Sequence, residues 1–186
     1  VLDVTYDFRP KSKLQKFGDI RVAVPYSSLP YDPIKGALAL FLGEVLYYGL
    51  RNEDRNEPLF RYLCYGLAWL DNCKRGVANF HLVFLMRLTR FLGFWPNTED
   101  WFPGAYYDML QCRFTKMQPL SGASLVPEEA ALLPVMLRMN FNSMHLFRFN
   151  RVQRQQFIDA VMRFYRIHLP EFPEPKSAQV LREVLG

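Results

Sequence analysis

Residues 59–94 read LFRYLCYGLAWLDNCKRGVANFHLVFLMRLTRFLGF, and the reading of this stretch decides the fold. Leu59, Leu63, Leu67 and Leu70 recur at helical spacing, with Tyr62 and Trp69 beside them. Asn56 supplies a cap and Pro58 suits a first turn, so a helix runs to about Asp71. Lys74-Arg75-Gly76 forms a turn. A second helix is expected over Asn79–Leu92, where polar residues are so few and scattered that both sides should be buried. Gly93 provides a left-handed stop and Pro96 prevents continuation. Two packed helices with almost no solvent-facing side imply further helices around them.

Those further helices are legible on either side. Asp32-Pro33 opens one that runs to about Leu50, with Leu38, Phe41, Leu42 and Val45 as its core stripe and Glu44 off the centre of that stripe. Pro127-Glu128-Glu129 starts another, in which acidic residues suit the positive end of the helix dipole and Pro134 should introduce a kink. Asn150 caps a helix to about His168 that buries Phe157, Ile158, Val161 and Tyr165. Pro170, Pro173 and Pro175 form a spacer before a short helix over Ser177–Leu185. The stretch Asn97–Ala123 is irregular; Tyr106–Phe114 holds one or two short strands, and Trp101, Phe102, Tyr106 and Tyr107 should pack on the helices. At the N-terminal side, Leu2, Val4, Tyr6 and Phe8 alternate with polar residues, which reads as a half-buried strand; Phe17–Val24 reads as a second. Two strands alone are marginal in water, so they should belong to a larger sheet, and the chain reads as one truncated at its N-terminal side. Pro25–Pro33 is a linker.

Half of the 186 residues are hydrophobic and 16% are aromatic, which is ample for a dry core and excludes a disordered chain. The net charge of +5 leans towards an acidic partner such as nucleic acid or an acidic peptide. Cys64, Cys73 and Cys112 form no CxxC pair and read as reduced thiols of a cytoplasmic protein, with no metal site expected. The opening segment VLDVTYDF has neither a basic start nor an apolar h-region and does not read as a signal peptide, and Lys35, Glu44, Arg87 and Arg90 interrupt the apolar runs that could otherwise span a membrane.

Catalytic patterns are missing. There is no G-x-S-x-G, no phosphate-binding glycine loop, no HExxH and no HxH. His81 reads as a hydrogen-bonded core histidine and His168 as a last-turn cation. Neither an enzymatic activity nor a cofactor is expected, although carboxylates converging in a deep polar cleft would restore a hydrolase reading. The cations carry more. Arg9, Lys11, Lys13, Lys16 and Arg21 cluster on a strand–turn–strand unit, a common way to hold a phosphate backbone; the same pattern also suits a solvated turn. Arg148, Arg151 and Arg154 form a second cluster, and Arg163 and Arg166 fall on the polar side of their helix. Arg154 projects onto the face of Phe157, Ile158 and Val161, so it must find an acidic partner, snorkel past the helix end or line a mixed apolar–cationic pocket. Arg87 and Arg90 share a side beside Phe84. With Arg154, these residues would suit an acidic peptide ending in an aromatic.

Five segments together resemble the RecO family of bacterial DNA-repair and recombination mediators, in its Bacteroidetes branch: ALFLGEVLYYGL (39–50), NEPLFRYL (56–63), ANFHLVFLMRLTRFLGFWPN (78–97), RFYRIHLPEF (163–172) and KSAQVLREVL (176–185). The resemblance implies an OB-fold barrel followed by an all-helical domain. Residues 1–24 would then be the last barrel strands and residues 25–186 a helical domain of five to six helices, giving a mainly α chain preceded by a β-hairpin remnant. It further implies binding of single- and double-stranded DNA, strand annealing, capture of the acidic Phe-ended tail of single-strand-binding protein, and work with RecR in the bacterial cytoplasm near the nucleoid. Many relatives hold a four-cysteine zinc site after the third helix; here that region has only Cys112, so no metal is expected. DNA contact is assigned to Lys11, Lys13, Lys16, Arg21, Arg148 and Arg151. Tail binding is assigned to Phe84, Arg87, Arg90 and Arg154 from surface chemistry and not from the resemblance. The competing reading is a helical module that docks acidic peptides without touching DNA.

Overall fold

The computed structural model describes residues 1–12, 14–51 and 53–185. It opens with an antiparallel hairpin of β1 (Leu2–Tyr6) and β2 (Phe17–Val22), in which Leu2 faces Val22, Val4 faces Ile20 and Tyr6 faces Phe17. The chain then enters a helical body of α1 (Pro33–Gly49), α2 (Glu57–Asn72) and α3 (Phe80–Leu88). A three-stranded antiparallel sheet follows, with β3 (Tyr106–Asp108) between β4 (Arg113–Thr115) and β5 (Ser124–Leu125). Two short helices, α4 (Pro127–Ala130) and α5 (Leu133–Arg138), lead to α6 (Arg151–His168) and α7 (Ser177–Val184). The mainly α architecture with an N-terminal hairpin matches the expectation.

The caps form where the sequence places them. The Asp32 side chain accepts from the Ile34 and Lys35 N–H groups, Asn56 accepts from Leu59 N–H, and Asn150 with Gln153 forms a reciprocal capping box. Leu38, Phe41, Leu42 and Val45 are fully buried. So are Phe80, Leu82, Phe84 and Leu85 of α3, which lies enclosed by α2, α5 and α6. Two tyrosines close the C-terminal end of α3: Tyr62 donates to Phe84 O (2.7 Å) and Tyr165 to Leu85 O (2.7 Å). Burial pushes both phenols well above their ordinary range, so each remains a neutral donor to a carbonyl.

Four expectations need correction. The third helix stops at Leu88, short of Leu92, because the Thr89 hydroxyl takes the Met86 carbonyl (2.8 Å) and the chain turns on to Gly93 at φ +82°. α2 is not enclosed; Phe60 and Tyr65 lie on an exposed side. Pro134 does not kink one helix. It sits in the first turn of α5, and its missing N–H makes the helix restart after α4. The hairpin is not half-buried either: Leu2 is 59% exposed, Ile20 53% and Val22 66%, so the apolar face has no cover among the described residues.

The linker to the hairpin is held by one carboxylate. Asp71, at the C-terminal end of α2, accepts from the backbone N–H of Ser27 (2.9 Å), Ser28 (2.8 Å) and Leu29 (2.7 Å) and from the Ser27 hydroxyl (3.0 Å). Its backbone carbonyl accepts from the Ser28 hydroxyl and from the buried Lys35 ammonium (2.7 Å). Burial disfavours the charge, but the three N–H donors and the Ser27 hydroxyl outweigh it and hold the carboxyl far below the usual carboxylate range. Glu44 does the same for α7. It accepts from Lys176 N–H (2.9 Å) and Ser177 N–H (2.8 Å), and these bonds with the Ser177 hydroxyl outweigh its burial and lower its pKa.

Candidate nucleic-acid interface and cationic cleft

The hairpin carries its cations in the open. Arg9, Lys11, Lys16 and Arg21 are all exposed; Lys13 lies outside the described residues. The turn that presents them is organised by Gln15, which accepts from Arg9 N–H (2.9 Å) and donates to Arg9 O (3.0 Å) and Ser12 O (3.1 Å). A glutamine between lysines was the local signal for this, and the sequence reading passed over it. Arg21 makes only a loose contact with Asp19 at 3.7 Å, with both side chains in water. Tyr6 and Phe17, paired across the strands and both exposed, flank a groove that Arg9 and Lys16 also line.

The start of α6 carries the second group. Arg148 and Arg151 are exposed. Arg154 is partly buried and finds no acid: it donates to Phe149 O (2.6 Å) and Leu185 O (3.2 Å). One carbonyl just before α6 and one at the C-terminal end of α7 therefore take the role expected of a carboxylate. Arg163 and Arg166, read as solvated, are ion-paired with Glu129 (2.9 Å) and Glu174 (2.7 Å).

The four residues assigned to an acidic tail are not brought together. Phe84 has no exposed surface and stacks within the core against Phe80 and Tyr62, so it offers no slot to a peptide. Arg87 is partly buried and donates to Met139 O (3.0 Å). Arg90 is exposed over the Trp95 ring at 4.7 Å. Arg154 instead faces a shallow cleft between α6 and α7, where Arg151, Arg182 and His81 join it over Ile158 and Leu181 beside Asp159 and Glu174. His81 is buried as expected, but its Nδ1 has no hydrogen-bond partner among the described residues. Burial, helped by the Arg154 charge, pushes the imidazole down to about 3 and keeps it neutral.

Neither of the remaining reactive groups forms a catalytic pair. The Cys112 Sγ lies 3.6 Å from His168 Nε2, but that nitrogen also approaches Met109 O at 2.8 Å, and the ring stacks on Phe94. Nε2 must carry its proton to meet the carbonyl, so it cannot accept one from the thiol, whose pKa burial raises. Among the described residues no group of three or more His, Cys, Asp or Glu side chains could hold a metal ion. None of the described helices is long and apolar enough to cross a membrane.

The fold and its charges define a mainly helical scaffold preceded by a cation-bearing strand pair. The family model described as recombination protein O C terminal matches residues 30–178, and the chain belongs to the RecO family. It is 46% identical over 186 residues to the DNA repair protein RecO of Phocaeicola vulgatus, spanning 100% of this chain and 77% of that protein. It is 46% identical over 185 residues to the protein of the same name from Bacteroides fragilis, covering 99% of this chain and 76% of that one. The corresponding Flavobacterium johnsoniae protein is 34% identical over 187 residues, with 100% and 76% covered. The resemblance read from the five segments is thus borne out. No solved structure matches the chain.

Proposed function

We propose that the chain serves DNA repair and homologous recombination as a mediator that binds single- and double-stranded DNA, anneals complementary strands and engages single-strand-binding protein and RecR. It would do so in the cytoplasm, near the nucleoid. Family membership supports the repair role, and the exposed hairpin carries the DNA-binding part of the reading. Arg9 and Lys16 line a groove with the exposed Tyr6 and Phe17, and Lys11 and Arg21 are exposed on the same hairpin, a combination of cation and aromatic that suits a single strand. Arg148 and Arg151 extend the cationic surface, and Lys13 belongs to the same run of sequence. Residues 1–24 are proposed as part of a larger barrel, because their apolar face is open and the family match begins at residue 30. The acidic tail is proposed to dock at Arg151 and Arg154 beside the α6–α7 cleft, where Ile158 and Leu181 add apolar surface; Asp159 and Glu174 share that lining, and Asp159 already holds Arg182. Arg87 and Arg90 are poorer candidates, one tied to Met139 O and the other to Trp95.

Fluorescence anisotropy with a labelled single-stranded oligonucleotide over a salt series tests this reading. Each lost phosphate contact on a single strand lowers the slope of log K against log salt by roughly 0.7. Lys11→Gln with Lys16→Gln should therefore flatten it by roughly 1.4. An unchanged slope would remove the hairpin from the interface. Binding of an acidic, Phe-ended peptide by a protein with no DNA affinity would favour the peptide-docking module instead.

A further inference from the structure

The two longest stretches of the sequence without an acidic residue are 72–98 and 130–158, and the fold packs them against each other. Asn79 donates its side-chain amide to Met144 O (3.1 Å) and Phe147 O (2.8 Å), and Arg87 reaches Met139 O. The junction is closest at Gly76, which has φ +76°; a Cβ there would lie 2.7 Å from His145 Cα. Glycine alone meets both demands, so it is what lets the Lys74–Arg75 turn close onto the Met144–Leu146 turn. The Cys73 thiol donates to Arg75 O (3.1 Å) and Asn79 N–H to Gly76 O (3.0 Å), which fixes the turn from behind.

Beside this junction runs an open groove lined by Trp69, Asn72, Cys73, Lys74, Arg75 and His145. Lys74, Arg75 and His145 are exposed, and no carboxylate is among the lining residues. Among the described residues none of the three has an ion-pair partner, whereas Arg163, Arg166 and Arg182 each have one. Arg148 and Arg151, also exposed, follow His145 in the same acid-free stretch.

We propose that this groove is a second contact for a nucleic-acid backbone, on the helical body and distinct from the hairpin. The proposal rests on the DNA-binding reading above. Two unpaired cations on a backbone-fixed turn, with no acid among the groove's lining residues to neutralise them, gain from phosphate contact through release of the counterions condensed on the nucleic acid. An acidic peptide fits less well. The one aromatic in the groove, Trp69, is stacked on Phe80 (6.2 Å) and Phe141 (5.5 Å), which leaves no slot for an apolar anchor.

The test compares double variants of the complete protein in the same salt series. Lys74→Gln with Arg75→Gln should flatten the slope by roughly 1.4. Arg113→Gln with Lys116→Gln, exposed cations outside the groove, should leave it unchanged. Gly76→Ala, with all charges kept, should weaken DNA binding if circular dichroism shows it folded; if it unfolds, the charge variants decide alone. An unchanged slope in the Lys74/Arg75 variant overturns the inference, as does an equal loss in the control pair. So does loss of an acidic peptide with DNA binding intact. A hairpin effect without a groove effect refutes this inference and leaves the hairpin reading standing. A wild-type protein without salt-dependent DNA affinity refutes both.

Discussion

Replacing Asp71 by asparagine should release the linker at 27–29 while the helical body stays folded. The carboxylate accepts three backbone N–H groups and one hydroxyl through its two oxygens. Asparagine keeps one oxygen and turns an NH₂ towards donors, so at least one linker N–H loses its acceptor. A hydrogen bond to a charged group contributes about 1.5–3 kcal/mol, and an orphaned donor costs about 1–3 kcal/mol when water cannot reach it. The linker is only partly buried, so water replaces part of the loss and the expected destabilisation is about 2 kcal/mol. Urea unfolding should show a midpoint lower by roughly 1 M for a slope near 2 kcal/mol/M. Hydrogen exchange should accelerate at the amides of Ser27, Ser28 and Leu29 before it does in α3. The pH dependence supplies a sign. The native pKa of Asp71 lies below the unfolded value of about 3.9, so its contribution is complete above that pH and fades as the pH falls towards the native value. The gap between wild type and Asp71→Asn should therefore narrow in acid. An unchanged midpoint together with unchanged exchange at 27–29 would refute the clasp.

Two further outcomes follow from the core. His81 stays neutral in the fold down to about 3, while an unfolded histidine takes up its proton near 6.5. Wild-type stability should thus fall with pH below 6.5, by up to about 1.4 kcal/mol per unit, and His81→Gln should lose that component; an imidazole NMR titration near 6.5 would contradict it. Gly66 and Gly43 both lie in helices but should respond oppositely to alanine. A Cβ at Gly66 would sit 2.6 Å from the Phe84 ring, whereas at Gly43 it meets nothing within 4 Å. Thermal unfolding should show Gly66→Ala destabilised by about 1–3 kcal/mol through overpacking, and Gly43→Ala stabilised by about 0.5–1 kcal/mol through helix propensity.

What the sequence disclosed was local. Asp32, Asn56 and Asn150 cap helices with atoms two to three residues away, and the Leu38–Val45 stripe follows from the helical repeat alone. What it concealed depends on partners brought from afar. β5 has two residues, too few to show a period, and exists because Tyr107 and Asp108 pair with Leu125 and Ser124. Arg154 looked as though it needed an acid, but its acceptors are carbonyls 5 and 31 residues distant. Asp71 did leave a sign. An acid at the C-terminal end of a helix opposes the dipole and has to be held by donors from elsewhere, and Ser27-Ser28 were there to supply them.

Charge illustrates the same division. The net value of +5 is indifferent to arrangement. The fold gives Arg163, Arg166 and Arg182 to Glu129, Glu174 and Asp159, and leaves Lys11, Lys16, Lys74, Arg75 and Arg148 without ion pairs among the described residues. Only cations of the second kind are free to neutralise phosphates and so release the counterions condensed on DNA. Removing one charge from each set changes the isoelectric point alike, yet only the unpaired set should alter the salt dependence of DNA binding. The salt slope, and not the overall basicity, is therefore the quantity that decides the proposed DNA contact.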